Sequence, residues 1–292
     1  MGAMNLAPIT RELVIARSRS LPSFPCVVVE IVNTLDDPDS NLDILVRAIR
    51  RDPLISARVI SLANTAALRG TRTTEINDIS AATSLIGLNR LRHIALISSL
   101  STFVNGAARN GLPNAYWTHS VAVGICCEEL AIHCGLDVAP SMALLAGLVH
   151  DIGQLWLYHF DPKLAHFCRG VARDRAVDIE QVEREHFGIG HGCVGAWLLE
   201  HWALPEAMAE AVSGHHDGKI VASNPLVALV QVTEVLSNAL DLVARAENRV
   251  TNLSLTACEQ LGLIWDDSAR HLFGRIESRA NHETAFFNAP AP

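Results

Sequence analysis

Seven side chains from residue 119 onward are of the kinds that hold divalent metal ions: His119, His150, Asp151, His191, His215, His216 and Glu234. His119 stands in Tyr-Trp-Thr-His-Ser, and His150 and Asp151 stand in Leu-Val-His-Asp-Ile-Gly. His191 closes Phe-Gly-Ile-Gly-His, His215 and His216 follow Trp-Ala-Leu-Pro by one predicted helix, and Glu234 closes Leu-Val-Gln-Val-Thr-Glu. Imidazole nitrogens mixed with carboxylate oxygens suit iron, manganese and other divalent ions. A plainer reading stands beside this one. A histidine in an apolar helix is more often a packed, hydrogen-bonded core residue, and an adjacent His-Asp pair can simply fix helix register. The plainer reading is kept for His93, His133, His159, His166, His186 and His201.

The elements that must position these groups read as helices. Each group falls on a different predicted helix, so a bundle could aim them at one centre. Neighbours on a helix are ~100° apart. His150 and Asp151 can therefore share a centre only with help from other helices, and Asp151 could bridge two ions. In the first part, Leu42, Leu45, Val46 and Ile49 follow helical spacing behind Ser40 as a cap. Asp52-Pro53 starts the next helix, and Asp78 or Thr74 caps one carrying Ile79, Ala82 and Ile86. Gly87 marks a break before Asn89 to Val104, and Asn105 to Pro113 reads as a junction between two lobes. Helices are then predicted near 114–134, 140–159, 161–174, 178–187, 189–202, 205–215 and 225–245, with a last pair near 253–262 and 266–279 and a loose tail from Asn281. Period-two alternation is absent. The expectation is an all-α chain: an N-terminal extension over 1–20, a helical lobe over 21–105, a second lobe over 112–245, and C-terminal helices and tail over 246–292.

Composition narrows the function classes. Of 292 residues, 49% are hydrophobic and 18% charged, which fits a packed globular protein. The net charge of −8 comes without any basic stripe, so nucleic acid is not the expected partner. The most apolar stretch, Ser141 to Val149, falls well short of the ~20 residues a spanning helix needs. Residues 1–20 show no signal-peptide pattern, and seven irregularly spaced cysteines without a Cys-x-x-Cys point to a reducing cytoplasm.

Several segments together resemble the HDOD family, HD-related output domains of bacterial signalling that are relatives of the HD and HD-GYP phosphohydrolases. In the first lobe these are Leu-Pro-Ser-Phe-Pro, Asp36-Asp37-Pro38, Arg51-Asp52-Pro53, Ser61-Leu-Ala-Asn64 and Ala82 to Arg92. In the second they are Trp117-Thr-His-Ser, Gly147-Leu-Val-His-Asp-Ile-Gly, Gly188-Ile-Gly-His-Gly-Cys-Val-Gly, Trp202-Ala-Leu-Pro and His215-His216. The resemblance spans roughly Leu21 to Val243. It implies a helical lobe packed on an HD-like bundle, and it implies that His119, His150, Asp151, His191, His215, His216 and Glu234 fall in the order of HD-GYP metal ligands.

The chain also departs from the catalytic pattern. Gln154 stands where catalytic relatives carry lysine, the Gly-Tyr-Pro element after the His-His pair is missing, Glu234 replaces an aspartate, and Ala115 removes a carboxylate one turn before His119. Gln154 and Trp117 belong to the expected pocket, with Trp117, Trp197 and Trp202 walling it. The resulting reading is a non-catalytic cytoplasmic signalling protein that acts through contacts with other signalling proteins, without a membrane partner. The alternative is a metal-dependent phosphohydrolase in which Asp151 is the catalytic group. A third reading is a sensor that binds a nucleotide without turnover. Iron, manganese or another divalent ion is the expected cofactor if the centre is loaded; a metal-free lobe suits the scaffold reading.

Overall fold

The computed structural model describes residues 8–35, 41–65, 75–107, 111–113, 115–217, 224–243 and 253–288. Among them every regular element is an α-helix. The Asp36-Asp37-Pro38 turn, the Ser40 and Thr74 caps, and part of the Asn105–Pro113 junction lie outside the described residues.

Helix α1 (Arg11–Ser18) begins behind Thr10, whose hydroxyl accepts from Leu13 N. Then come α2 (Cys26–Asn33), α3 (Asn41–Arg51), α4 (Pro53–Ala63), α5 (Ile79–Ile86) and α6 (Leu88–Ala107). Asp52 caps α4 with Pro53 behind it, and Asp78 caps α5, as the sequence leads one to expect. Asn64 closes α4: its amide donates to Ile60 O and Ile76 O and accepts from Ile76 N, which ties the end of α4 to the approach of α5. Gly87 adopts φ +83° between α5 and α6, a conformation that side-chain-bearing residues rarely take.

The second part of the chain, from Ala115, runs α7 (Ala115–His133), α8 (Pro140–Val149), α9 (Ile152–Phe160), α10 (Pro162–Arg175), α11 (Ile179–Phe187), α12 (His191–His201), α13 (Glu206–Gly214), α14 (Pro225–Ala239), α15 (Leu255–Gln260) and α16 (Asp267–Asn288). α7 and α8 pack along one another, α12 lies against α13 and α9, and α14 crosses α7, α8 and α13. α6 is buried around most of its circumference because it sits between the N-terminal helices and α7, α8 and α9. α1 packs on α12 and α9, and buried Trp156 donates its indole N–H to Val14 O. The N-terminal segment thus joins the core of that second part.

Three expectations about the elements need correction. The helix predicted over 140–159 is two helices, broken at His150 and Asp151. The helix predicted over 225–245 ends at Ala239, and Asp241 follows at φ +49°. The tail expected to loosen at Asn281 continues as α16 to Asn288. That last helix is held by a cluster of charges. Arg279 pairs with Glu128 and Glu129, Arg275 pairs with Glu129, and buried Glu283 pairs with Arg90 beside His93. All seven cysteines are free, and among the described residues no helix is long and apolar enough to cross a membrane.

Candidate metal centre

The break between α8 and α9 is what lets His150 and Asp151 face one point. His150 ends α8 in helical conformation and Asp151 swings to φ −94°, ψ +10°. Aspartate is a favoured helix cap, yet the Asp151 carboxylate does not cap α9 and turns to the histidines instead. Tyr116 on α7 donates its hydroxyl to Asp151 O at 3.2 Å and holds the break from the other side.

Two close approaches set the spacing around it. A methyl on Gly147 would lie 2.6 Å from Gly124 Cα, so α8 and α7 touch backbone to backbone and bring His150 near His119. A methyl on Gly153 would lie 1.9 Å from His191 O, so the first turn of α9 is pressed onto the start of α12. Both positions exclude any larger residue at this approach.

Asp151 divides the surrounding histidines between its two oxygens. Oδ1 lies 3.2 Å from His191 Nε2 and 3.7 Å from His215 Nε2. Oδ2 lies 3.4 Å from His150 Nε2 and 3.9 Å from His119 Nε2. Glu234 on α14 reaches the second set, with Oε2 at 3.7 Å from His150 Nε2 and Oε1 at 3.8 Å from His119 Nε2. Three overlapping groups of donor atoms result: Asp151, His191, His215 and His216; His119, His150 and Asp151; and His150, His215 and Glu234, whose Oε2 also lies 3.9 Å from His215 Nε2.

The imidazole tautomers follow from the outer partners. His150 Nδ1 lies 2.7 Å from Gly147 O, and His215 Nδ1 lies 2.7 Å from Val212 O. A carbonyl only accepts, so both Nδ1 atoms carry the proton. His191 Nδ1 meets Glu183 Oε2 at 2.6 Å, and His216 Nδ1 meets Asp178 Oδ2 at 2.7 Å. In the neutral ring each Nε2 lone pair therefore points inward. His191 Nε2 faces His216 Nε2 at 3.0 Å and His215 Nε2 at 3.3 Å, which sets acceptor against acceptor. The buried His150 Nε2 and Glu234 Oε2 have no hydrogen-bond partner. Donors bound ~2.0–2.1 Å from one ion stand about 3 Å from each other, so the residues present fit divalent ions.

The surrounding charges attract cations, protons included. Burial works against ionising Asp151, but the His150 charge and the close approach of His150, His191 and His215 hold its carboxyl well below the usual range. Burial likewise opposes a charged Glu234, and the neighbouring histidines still lower it. Burial disfavours the His191 imidazolium, yet Glu183 and Asp151 raise it well above the ordinary value. His216, also opposed by burial, is raised to about 9 by Asp178 and Glu234. His215 is pushed down by burial and by the charge of His216. The carboxylates thus keep their negative charge and draw cationic charge to themselves.

The structure brings His119, His150, Asp151, His191, His215, His216 and Glu234 to one place. Gln154 joins them, donating its amide to Asp151 Oδ1 at 2.9 Å. Trp202 does not wall the site: it stacks on Phe24 at 4.3 Å and meets Phe103 edge-on, between the N-terminal segment and α6. Trp117 and Trp197 are half-buried. Four residues of the site escaped the sequence reading: Glu183, Asp178, Tyr116 and Arg169. Tyr116 stood within a quoted motif and Asp178 at a predicted helix start, but neither position announces its partner. Glu183 lies eight residues before His191 on another helix.

The profile of the HDOD domain matches residues 21–218. The chain belongs to the HDOD family. An HDOD domain protein of unknown function from Geobacter sulfurreducens shares the fold, with TM-score 0.73 at 22% identity over 93% of this chain and 97% of that one. A protein from Shewanella amazonensis SB2B, provisionally described as a phosphohydrolase, matches with TM-score 0.65 at 22% identity over 94% and 95% of the two chains. Among curated proteins, an uncharacterised protein of Treponema pallidum is 23% identical over 69% of this HDOD chain and 38% of its own length. The HDOD chain therefore spans under two-fifths of that curated relative.

Proposed function

We propose that this HDOD protein is a regulatory metalloprotein: a signalling protein that acts through contacts with other proteins and carries a two-ion divalent centre between His119 and Glu234. His191, His215 and His216 would hold one ion, His119, His150 and Glu234 the other, and Asp151 would lie between them. The observation that carries the reading is the set of opposed imidazole nitrogens, with every assigned Nδ1 tied outward and Nε2 aimed inward. Ions bound there would supply positive charge and Lewis acidity toward an oxygen ligand.

The chain's own residues favour regulation over hydrolysis. Catalytic relatives place a lysine where Gln154 stands, and Arg169 is turned onto Gln154. One preorganised contact to developing charge is worth ~3–4 kcal/mol, a hundred- to a thousandfold in rate. A second reading, phosphoester hydrolysis, is favoured by one feature. Glu234 and His216 are 20% and 13% exposed while His150 and His191 are fully buried, so the centre has one edge open to solvent.

Elemental analysis of protein purified without chelator tests the metal. Two equivalents of divalent ion are expected in the wild type and a loss in His150→Ala; an empty wild type overturns the reading. Assays with cyclic di-GMP and a simple phosphodiester, with iron or manganese supplied, should give no turnover above that of Asp151→Asn. Metal-dependent turnover that vanishes in Asp151→Asn would replace regulation by hydrolysis.

A further inference from the structure

We infer that Arg169 is a positioning residue of the metal centre, acting on Asp151 through Gln154; the inference rests on the two-ion reading above. Arg169 lies on α10 and Gln154 in the first turn of α9. Arg169 Nη2 donates to Gln154 Oε1 at 3.1 Å, and Gln154 Nε2 donates to Asp151 Oδ1 at 2.9 Å. Arg169 Nε donates to the Tyr158 hydroxyl at 3.0 Å, which fixes the guanidinium plane that aims Nη2 at the amide.

The chemistry of this chain of three is one-directional. A guanidinium can only donate and an ionised carboxylate can only accept. The group between them must accept on one side and donate on the other, and a primary amide does both. Each end therefore fixes which way the amide of Gln154 faces. Gln154 is buried, so without Arg169 its carbonyl oxygen loses its donor in a place water reaches poorly. The amide is then free to turn, and Asp151 Oδ1 loses the hydrogen bond that sets the carboxylate plane. That plane decides whether Oδ1 faces His191 and His215 while Oδ2 faces His150 and His119.

Gln154 and Arg169 consequently form a matched pair. A lysine at 154, as in the catalytic relatives, would set an ammonium against the Arg169 guanidinium with no acceptor between them. Gln154→Lys should accordingly damage this centre instead of restoring an enzyme, and damage it less when Arg169 is also neutral.

Manganese titration of the full chain, followed by calorimetry and electron paramagnetic resonance, tests this. The variants are Arg169→Met, Arg169→Lys, Gln154→Lys and the Gln154→Lys/Arg169→Met double. Wild type is expected to bind two ions with the signal of a coupled pair. Arg169→Met should lose the coupled signal and bind at least one ion ~10–100-fold more weakly, a loss larger than its fall in melting temperature in chelator accounts for. Arg169→Lys should recover part of the affinity, and the double variant should bind better than Gln154→Lys alone, as coupled positions do. Arg169→Met with wild-type affinities and coupled signal overturns the inference. So does a loss of metal that follows a matching loss of stability in chelator and is not relieved by Arg169→Lys. A wild type that binds no manganese overturns the two-ion reading and this one together.

Discussion

His191 and Glu183 are joined twice through one oxygen: Glu183 Oε2 accepts from His191 Nδ1 at 2.6 Å and from the His191 backbone N–H at 2.9 Å. The carboxylate thereby fixes the ring's tautomer, its orientation and the first turn of α12 at once. Partners of this kind raise ligand basicity, and their loss costs ~10–100-fold in metal affinity. Glu183→Gln is expected to weaken one ion by that factor and leave the other nearly as tight, read by calorimetric titration. Equal affinity in wild type and variant would show that Glu183 serves the fold alone.

Gly153 sets the distance between α9 and α12. A methyl there meets the His191 carbonyl oxygen at 1.9 Å, against backbone that cannot yield locally. Overpacking of a close-packed interior costs ~1–3 kcal/mol and occasionally more, and this contact belongs at the upper end. Gly153→Ala should unfold at clearly lower denaturant and lose metal in proportion, whereas Gly170→Ala, with open space around it, should do neither. Urea titration of the two variants side by side decides it.

The charge cluster that holds α16 makes stability depend on pH. His93 and Arg90 on α6 face Glu128 and Glu129 on α7 and Arg275, Arg279 and Glu283 on α16. Burial lowers the His93 affinity for protons, but hydrogen bonds to Glu128 and Glu283 and their charges raise it above 6.5 overall. A raised histidine contributes in full below its unfolded value and loses its contribution as pH climbs through the folded one. Glu128 and Glu283 are opposed by burial yet lowered below 4.5 by His93 and the arginines, so their contribution is full above that value and is lost as pH falls further. The advantage of wild type over His93→Gln in melting temperature should be largest between about pH 4.5 and 6.5 and shrink as pH climbs above that window. A constant difference would refute the assignment.

Glu283→Gln probes the same cluster at its most buried point. Removing one partner of a buried pair costs ~3–5 kcal/mol because the other charge is left uncompensated. Arg90 is 31% exposed and can turn to water, so the lower end, about 3 kcal/mol, is expected from chemical denaturation. A change under about 1 kcal/mol would place Glu283 among surface pairs.

Among the tryptophans, Trp156 should matter most. It is fully buried, stacks on Phe160 at 4.9 Å and ties α9 to α1 through Val14 O. Trp156→Ala is expected to cost ~3–5 kcal/mol, and Trp197→Ala, at a half-buried site, clearly less. The reverse order in thermal melts would contradict the packing described.

Much of the architecture was legible because local signals and global fold agree. Asp52 with Pro53, Asp78 and Gly87 mark helix boundaries by short-range chemistry, and apolar spacing shows which segments are helices. The set of side chains that gather around Asp151 was legible through motif resemblance, not through spacing. What escaped depends on distant contacts. The break at His150 and Asp151 has no glycine or proline at the joint; it is imposed by Tyr116, 35 residues earlier, and by the demand that Asp151 face the histidines. The continuation of α16 past Asn281 depends on Glu283 finding Arg90, and no local pattern encodes that pair. The stacking of Trp202 on Phe24 joins segments that helical periodicity treats independently.

The clamp on α16 has a consequence for the order in which the protein can be made. Glu128 and Glu129 lie on α7, the helix that presents His119, and their partner Arg279 comes 150 residues later in the chain. Until that stretch has been synthesised, Glu128 has only His93 as a partner and Glu129 lacks both of its arginines, so burying them is costly. Contacts of such long sequence separation form late. Vectorial synthesis therefore delivers a nascent chain whose histidine-bearing helices are present but unbraced, and the His119 side of the cluster is braced only after α16 has been translated and docked.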